Sequence, residues 1–294
     1  MRGESSIFRA VLNWPAWRDR PSQTTRTIAM DIIRIRDKAG FAAHRGAIEM
    51  LFTECFGDRL SADVWEWAYL TNPNGAGVAS LCYDGERLVG HYAAIPVRLK
   101  SDARAVNAYQ SMTTMVSADY RKEGLFVKLA TDTYAQAREL GIDCVLGFPN
   151  AMSTPGFRNK LNWTLPEPDY VATLSKSELL LAADHFRRGP EQWRLDLDDA
   201  ANREWRLSKP GAACVWDDGL AYKRHGDNID VLAFDDPAQF ERLPEAAGIS
   251  ILVPATVDAL RSHLAFEYQF GGIGICSAFD PAQVQRQMGI SDVF

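Results

Sequence analysis

The stretch "SADYRKEGLFVKLATDTYAQARELG", residues 117–141, decides how this chain is read. Just upstream, "AYQSMTTMV" (108–116) is rich in Thr, Val, Met and Tyr and carries no charge. Downstream, Phe126, Leu129, Ala130, Thr133, Tyr134, Ala137 and Leu140 recur at helical spacing and run into Gly141. The pattern predicts a strand, a tight turn and a helix, with Gly124 in the turn and Arg121 three residues before it. A helix entered this way presents several backbone N–H groups without intrahelical partners, and their partial positive charge suits an anion. Glycine at 124 permits φ > 0 and a close approach to the backbone. Arg121 and Lys122 add charge at the mouth, and a pyrophosphate matches such a nest. An Arg and a Gly before a helix are common, so the neighbours of the turn carry the argument.

Working outward, "DIIRIRD" (31–37) reads as a strand and "GFAAHRGAIEMLFTECFG" (40–57) as an amphipathic helix. "SADVWEWAYLTNPNG" (61–75) reads as a second helix, broken at Asn72-Pro73-Asn74-Gly75. Residues 77–100 hold two strands joined at Asp84-Gly85, a strong hairpin signal. "DCVLGFPN" (143–150) is a short buried strand ending in Pro149-Asn150. The layout is α/β with a mixed central sheet flanked by helices.

The second half echoes part of this order. "REWRLSKPGAACVWDDGLAYKRH" (203–225) repeats a Trp-bearing helix, a Pro-Gly break and an Asp-Gly hairpin at Asp218-Gly219. Residues 249–270 read as a strand and helix, and "GIGICSAFD" (272–280) as a last strand. Nothing there matches the Arg121–Gly124 turn. Either the chain contains a degenerate internal duplication or aromatic helices and Asp-Gly hairpins coincide by chance.

Composition narrows the class. The chain has 294 residues, 47% hydrophobic and 24% charged, as in a water-soluble globular protein. A formal net charge of −6 argues against a general nucleic-acid binder. Five cysteines stand singly and five histidines are dispersed, which predicts a reducing compartment, no disulfide framework and no metal site. No apolar run approaches the ~20 residues of a membrane span, and residues 1–29 lack a signal-peptide core, so a cytoplasmic location and no membrane insertion are expected. Residues 1–29 read as a loose, locally basic extension, either an accessory tail or a partner arm built on Trp14 and Trp17. Periodic structure begins at Met30, itself a candidate start of translation.

The ordered set of strand "AYQSMTTMV", turn "DYRKEGLF", helix, strand "CVLGFPN" and "FRNKLNW" resembles the GCN5-related N-acetyltransferase (GNAT) superfamily over roughly residues 31–175. Arg121, Gly124 and Phe126 fall on that family's pyrophosphate signature, with Phe126 where a small residue is usual. The resemblance implies a splayed sheet, with residues 30–175 as an acetyl-CoA-binding domain and 176–294 as a smaller, degenerate GNAT-like domain. The pantetheine would pair with backbone near Met115 and Val116, and the amides of 121–126 (Arg121, Lys122, Glu123, Gly124, Leu125, Phe126) would hold the pyrophosphate. Asn150 and Ser153 would contact the donor after the next strand, although an Asx turn serves equally for Asn150.

Acyl transfer from a thioester requires a neutral amine, donors for the oxyanion and stabilisation of the departing thiolate. The strand at 105–116 carries no Glu or Asp. The catalytic candidates are therefore His91, whose intrinsic pKa suits a base, and Gln110, with a water chain as the alternative to His91. Phe157 stands where many members place an acidic Tyr. Trp65 and Tyr69, four apart on one helix face, are candidate acceptor-binding residues, or else core. The expected activity is transfer of an acetyl or short acyl group from acetyl-CoA to a small-molecule amine, for example an amino sugar, by a monomer or homodimer. The rival is a non-catalytic acyl-CoA-binding or partner-binding scaffold. Absence of GxxxxGK[ST] and GxGxxG disfavours a nucleotide binder.

Overall fold

The computed structural model describes residues 30–189, 192–254 and 256–291, so the expectations for residues 1–29 lie outside the described residues. Alternation along the strands sets the first sheet. Ala79 and Leu81 pack under one pair of helices while Val78 and Cys82 pack under another, as period-two side chains buried on both faces require. This sheet runs β1 (Met30–Ile35), β2 (Val78–Asp84), β3 (Arg87–Lys100), β4 (Ala105–Val116) and β5 (Cys144–Gly147). On one face lie α1 (Lys38–Phe56) and α2 (Ala62–Tyr69). On the other lie α3 (Leu125–Glu139) and α4 (Thr154–Lys160).

Local chemistry fixes these elements. Asp37 caps α1 by accepting from Gly40 N, and Gly57 ends it in the left-handed region at φ 72°. Ser61 caps α2 by accepting from Val64 N. Asp84 pairs with Arg87 across the predicted turn, where Gly85 adopts φ 60°.

A second sheet is built from later residues. It contains β6 (Asp169–Leu174), β8 (Ala213–Asp217), β9 (Leu220–His225), β10 (Asn228–Phe234), β11 (Gly248–Val253) and β12 (Leu264–Tyr268), and β7 (Arg194–Leu195) attaches instead to β3. Two short helices, α5 (Lys176–Leu181) and α6 (Ala200–Leu207), complete the chain's α-helical elements among the described residues. The helix expected within 249–270 is a 3-10 turn at Asp258–His263 followed by β12.

The connectivity of the second sheet repeats that of the first. Helix α6 precedes the antiparallel run β8–β9–β10 as α2 precedes β2–β3–β4, and β10 pairs in parallel with β11 as β4 does with β5. The repeat has a physical seam. Trp67 of α2 and Trp205 of α6 stack at 4.7 Å with planes 8° apart. Trp67 Nε1 donates to the Trp205 carbonyl at 2.7 Å, and Trp205 Nε1 returns a bond to the Trp67 carbonyl at 2.9 Å. These reciprocal bonds make a local two-fold and satisfy both buried indoles.

The last strand, β13 (Gly271–Gly274), crosses back and pairs antiparallel with β5. In the same way β6 leaves the first sheet and pairs antiparallel with β11. Each sheet thus borrows the strand beside its shorter parallel member from the other half. A cut after residue 175 separates the second sheet from β6 and the first sheet from β7 and β13. Between the lobes, Val97, Leu99 and Leu146 share one apolar core with Leu232, Leu252 and Met288.

Candidate functional site

The site begins where two parallel strands part. β4 pairs with β5 through Ala108↔Cys144, Tyr109↔Val145 and Gln110↔Leu146 only, and then continues to Val116 while β5 ends at Gly147. The burial of β4 changes at the same place: Ser111, Met112, Thr113 and Thr114 are all half-buried, after a buried run ending at Gln110. A bulge turns the strand away. On the β3 side His91 pairs with Met115 and Ala93 with Met112, so Thr113 and Thr114 together face Tyr92.

Thr113 takes a left-handed φ of 53°, which costs a non-glycine residue about 1–2 kcal/mol. Its carbonyl accepts a bond from His91 Nδ1 at 2.6 Å. A carbonyl can only accept, so Nδ1 carries the proton and the ring is the neutral Nδ1–H tautomer. His91 is fully buried, and burial pushes its pKa down to about 4. It lies on the face of Leu81 and Met115, under α1 and α2. This corrects its expected role as base: His91 holds the bulge. Gln110, the other catalytic candidate, is 4% exposed and pairs with Ile95 of the same core.

Beyond Val116 the chain makes a 3-10 turn at Ala118–Glu123 and enters α3 through Gly124, at φ 69° and ψ 16°. No side chain caps this helix, and no acidic residue lies in its first turn. The first intrahelical bond is Lys128 N to Gly124 O at 3.2 Å, leaving the amides of Leu125, Phe126 and Val127 without acceptors in the helix. A Cβ added at Gly124 would meet nothing within 4 Å. Arg121, Lys122 and Glu123 are exposed beside it, whereas the Leu125 side chain is buried in the core under α3. These are the properties of an open anion nest.

The nest is anchored to the β2–β3 hairpin by contacts that the sequence did not announce. Tyr120 donates its hydroxyl to Asp84 Oδ2 at 2.5 Å, and Ser117 N donates to the Val89 carbonyl at 2.9 Å. Arg87 bonds Ser117 Oγ at 3.1 Å and Glu54 at 3.0 Å, with its guanidinium 5.9 Å from the Tyr120 ring centre. The one available signal was that Asp84 and Arg87 flank a tight turn.

Phe126 does not obstruct the turn. Its ring packs against Phe157 at 5.2 Å and Tyr92 at 6.4 Å, and a Cβ on Gly156 would come within 2.9 Å of it. Asn150 Oδ1 accepts from Met152 N and Ser153 N at 3.1 and 3.0 Å, so Asn150 forms the Asx turn, and Ser153 is bound within it. Trp65 and Tyr69 are each 1% exposed, and Tyr69 stacks on Phe41 at 4.5 Å. They are core residues and present no face to an acceptor. Cys144 is a buried thiol whose pKa burial raises. An open depression of about 470 Å³ lies elsewhere, between the β3–β4 hairpin and residues 196–199, where Arg98 and Asp196 already pair at 3.0 Å.

The second lobe has the splay without the nest. β10 and β11 pair through three residues, and β10 carries a bulge opposite β9. A 3-10 turn at Pro237–Arg242 then leads to β11 with no helix between. Asp236 caps that turn by accepting from Ala238 N at 2.8 Å, so a carboxylate already sits on its amides.

Among the described residues there is no cluster of His, Cys, Asp or Glu able to hold a metal ion, and no helix long and apolar enough to cross a membrane. Residues 43–165 match the family model of the acetyltransferase (GNAT) domain. No curated protein matches the chain. Among solved structures, a GCN5-related N-acetyltransferase from Kribbella flavida superimposes with a TM-score of 0.57 at 12% identity, covering 86% of this chain and 73% of that one. Eis1 from Mycobacterium abscessus gives 0.51 at 10% identity, covering 83% and 73%. A GCN5-related N-acetyltransferase from Anabaena variabilis gives 0.50 at 13% identity, covering 82% and 72%. At such identities these three neighbours speak for the fold. Residues 43–165 thus match a GNAT acetyltransferase domain, and the chain as a whole has the GNAT fold.

Proposed function

We propose that this protein transfers an acetyl or short acyl group from acetyl-CoA to a small-molecule amine, by direct transfer in a ternary complex in the cytoplasm. The observation that carries the reading is the uncapped helix α3, entered through left-handed Gly124 just beyond the point where β4 parts from β5. The residues fit the donor chemically. The first-turn amides would take the pyrophosphate, with Arg121 and Lys122 adding positive charge. The edge of β4 from Ser111 to Val116 would pair with the amides of the pantetheine arm, as an unpaired strand edge does with any extended ligand. Removing the strand's competing partner is the task of the Thr113 bulge. With His91 buried and neutral, we assign deprotonation of the amine to water reaching the open splay.

An amino sugar remains our first acceptor to screen, although Trp65 and Tyr69 no longer argue for it. A scaffold that binds acyl-CoA without turnover is the second reading. It is favoured by Phe157, a buried phenylalanine where many relatives place a tyrosine acid.

Calorimetry with acetyl-CoA tests both. Asp tolerates the left-handed region better than most residues, so Gly124→Asp retains the fold while placing a carboxylate in the nest. The expected result is micromolar binding by wild type and none by the variant. A folded wild-type protein that binds no acetyl-CoA refutes both readings. Binding without transfer to any amine in a broad screen leaves the scaffold.

A further inference from the structure

Four side chains form a hydrogen-bonded row that ends at the splay. Trp163 Nε1 donates to Tyr134 OH at 2.8 Å, Tyr134 OH and Tyr92 OH are 2.8 Å apart, and Ser111 Oγ donates to Tyr92 OH at 2.8 Å. Trp163, Tyr134 and Tyr92 are buried at 3%, 7% and 0% exposure, while Ser111 is half-buried. Ser111 is the first β4 residue past the last pair with β5, and a Cβ on Gly147 across the gap would lie 3.5 Å from its own Cβ.

The row holds one more hydrogen than it has bonds. The indole and the three hydroxyls supply a hydrogen each, and three contacts use them. The indole can only donate and Ser111 donates from the other end. The two phenols between them therefore keep one hydrogen with no acceptor among the described residues. A buried donor left unmade is costly, and the cost disappears if an acceptor is presented at Ser111. Ser111 then turns its hydrogen to that acceptor, the surplus phenolic hydrogen turns to Ser111 Oγ, and all four hydrogens are bonded. Burial raises the pKa of both phenols, so both hydrogens stay in place at neutral pH.

We propose that Ser111 is the catalytic hydrogen-bond donor to the sulfur that leaves the acyl group, with Tyr92 and Tyr134 as positioning residues behind it. This rests on the acyl-CoA reading of the site. During transfer the carbon–nitrogen bond forms, the carbon–sulfur bond breaks and its electron pair stays on sulfur. The proton lost by the amine passes to solvent. Ser111 keeps its proton and stabilises the thiolate by a charge-assisted bond. Phe157 needs no hydroxyl in this arrangement, because the donor comes from the other side of the aromatic cluster.

The test titrates the thiol of CoA bound to the full chain, followed by the ultraviolet absorbance of the thiolate. With Ser111→Ala the bound thiol should become about tenfold less acidic, as loss of a hydrogen bond to a charged group implies. Ser111→Thr should restore the wild-type curve. Calorimetric affinity for CoA at a pH where the thiol is protonated should be equal in all three proteins. Coincident titrations of wild type and Ser111→Ala, with CoA bound to both, overturn the proposal and leave the acyl-CoA site standing. No CoA binding by folded wild type removes that site and the proposal together. If Ser111→Ala does not fold, Tyr92→Phe decides. It withdraws the hydrogen behind Ser111 and should make the bound thiol less acidic, and an unchanged titration overturns the proposal.

Discussion

Lowering the pH from 7 to about 5 should destabilise this protein through His91 alone by an amount large enough to isolate. The ring is fully buried, and burial depresses its pKa from the ordinary 6.5 to about 4. The unfolded chain therefore binds a proton in the window between these values while the folded protein does not, so stability falls as pH falls through it. Integrating the linkage between pH 7 and about 5 for this shift gives a loss of about 2 kcal/mol. Below about pH 4 both states are protonated and the contribution has gone. His91→Asn is the control, since its Nδ2 can replace the Nδ1–H bond to the Thr113 carbonyl and does not titrate. Urea unfolding of both proteins at the two pH values gives the comparison. Wild type should lose about 2 kcal/mol more than the variant. Parallel losses would refute a buried, neutral His91 and with it the account of how the bulge is held.

Other consequences are equally open to measurement. Trp67→Phe keeps the stack but removes one of two donors to the Trp205 carbonyl, which retains Ser208 Oγ, so denaturant unfolding should show a loss of about 1 kcal/mol. An unchanged midpoint would mean the lobes are not joined there. Tyr120→Phe removes the bond to Asp84 that steadies the nest, and should weaken acetyl-CoA binding several-fold in calorimetry with little change in fold by circular dichroism. In a thiol-reagent time course on the native protein, exposed Cys276 should react and fully buried Cys144 should not until the protein unfolds.

The parts of this molecule legible in the sequence are those set by short-range chemistry. Asp84-Gly85 marks a hairpin because glycine takes a positive φ there, and Gly124 marks the entry to α3 for the same reason. The helical spacing from Phe126 to Ala137 is likewise local. The misread residues depended on what lies across space. Trp65 and Tyr69 share a helix face, but only the presence of Phe41 and β3 shows that the face is covered. A Thr at φ 53° carries no composition signal, so the bulge that frees β4 was invisible, and so was the partner of His91. The row from Trp163 to Ser111 joins four separate elements or turns, and no spacing rule connects them.

The exchange of β6 and β13 also governs how the protein is made. When the ribosome has finished β5, that strand still shows an unpaired edge built from Cys144, Val145 and Leu146, all fully buried in the final structure. Its partner is synthesised only after the whole second sheet has been laid down. Closing so distant a pair is slow, and an open apolar edge invites pairing with other chains in the meantime. Until β13 emerges, the nascent first half carries that open edge. Neither half is a complete folding unit, and a fragment ending between the two sheets would carry an open edge and a strand, β6, that has nowhere to go.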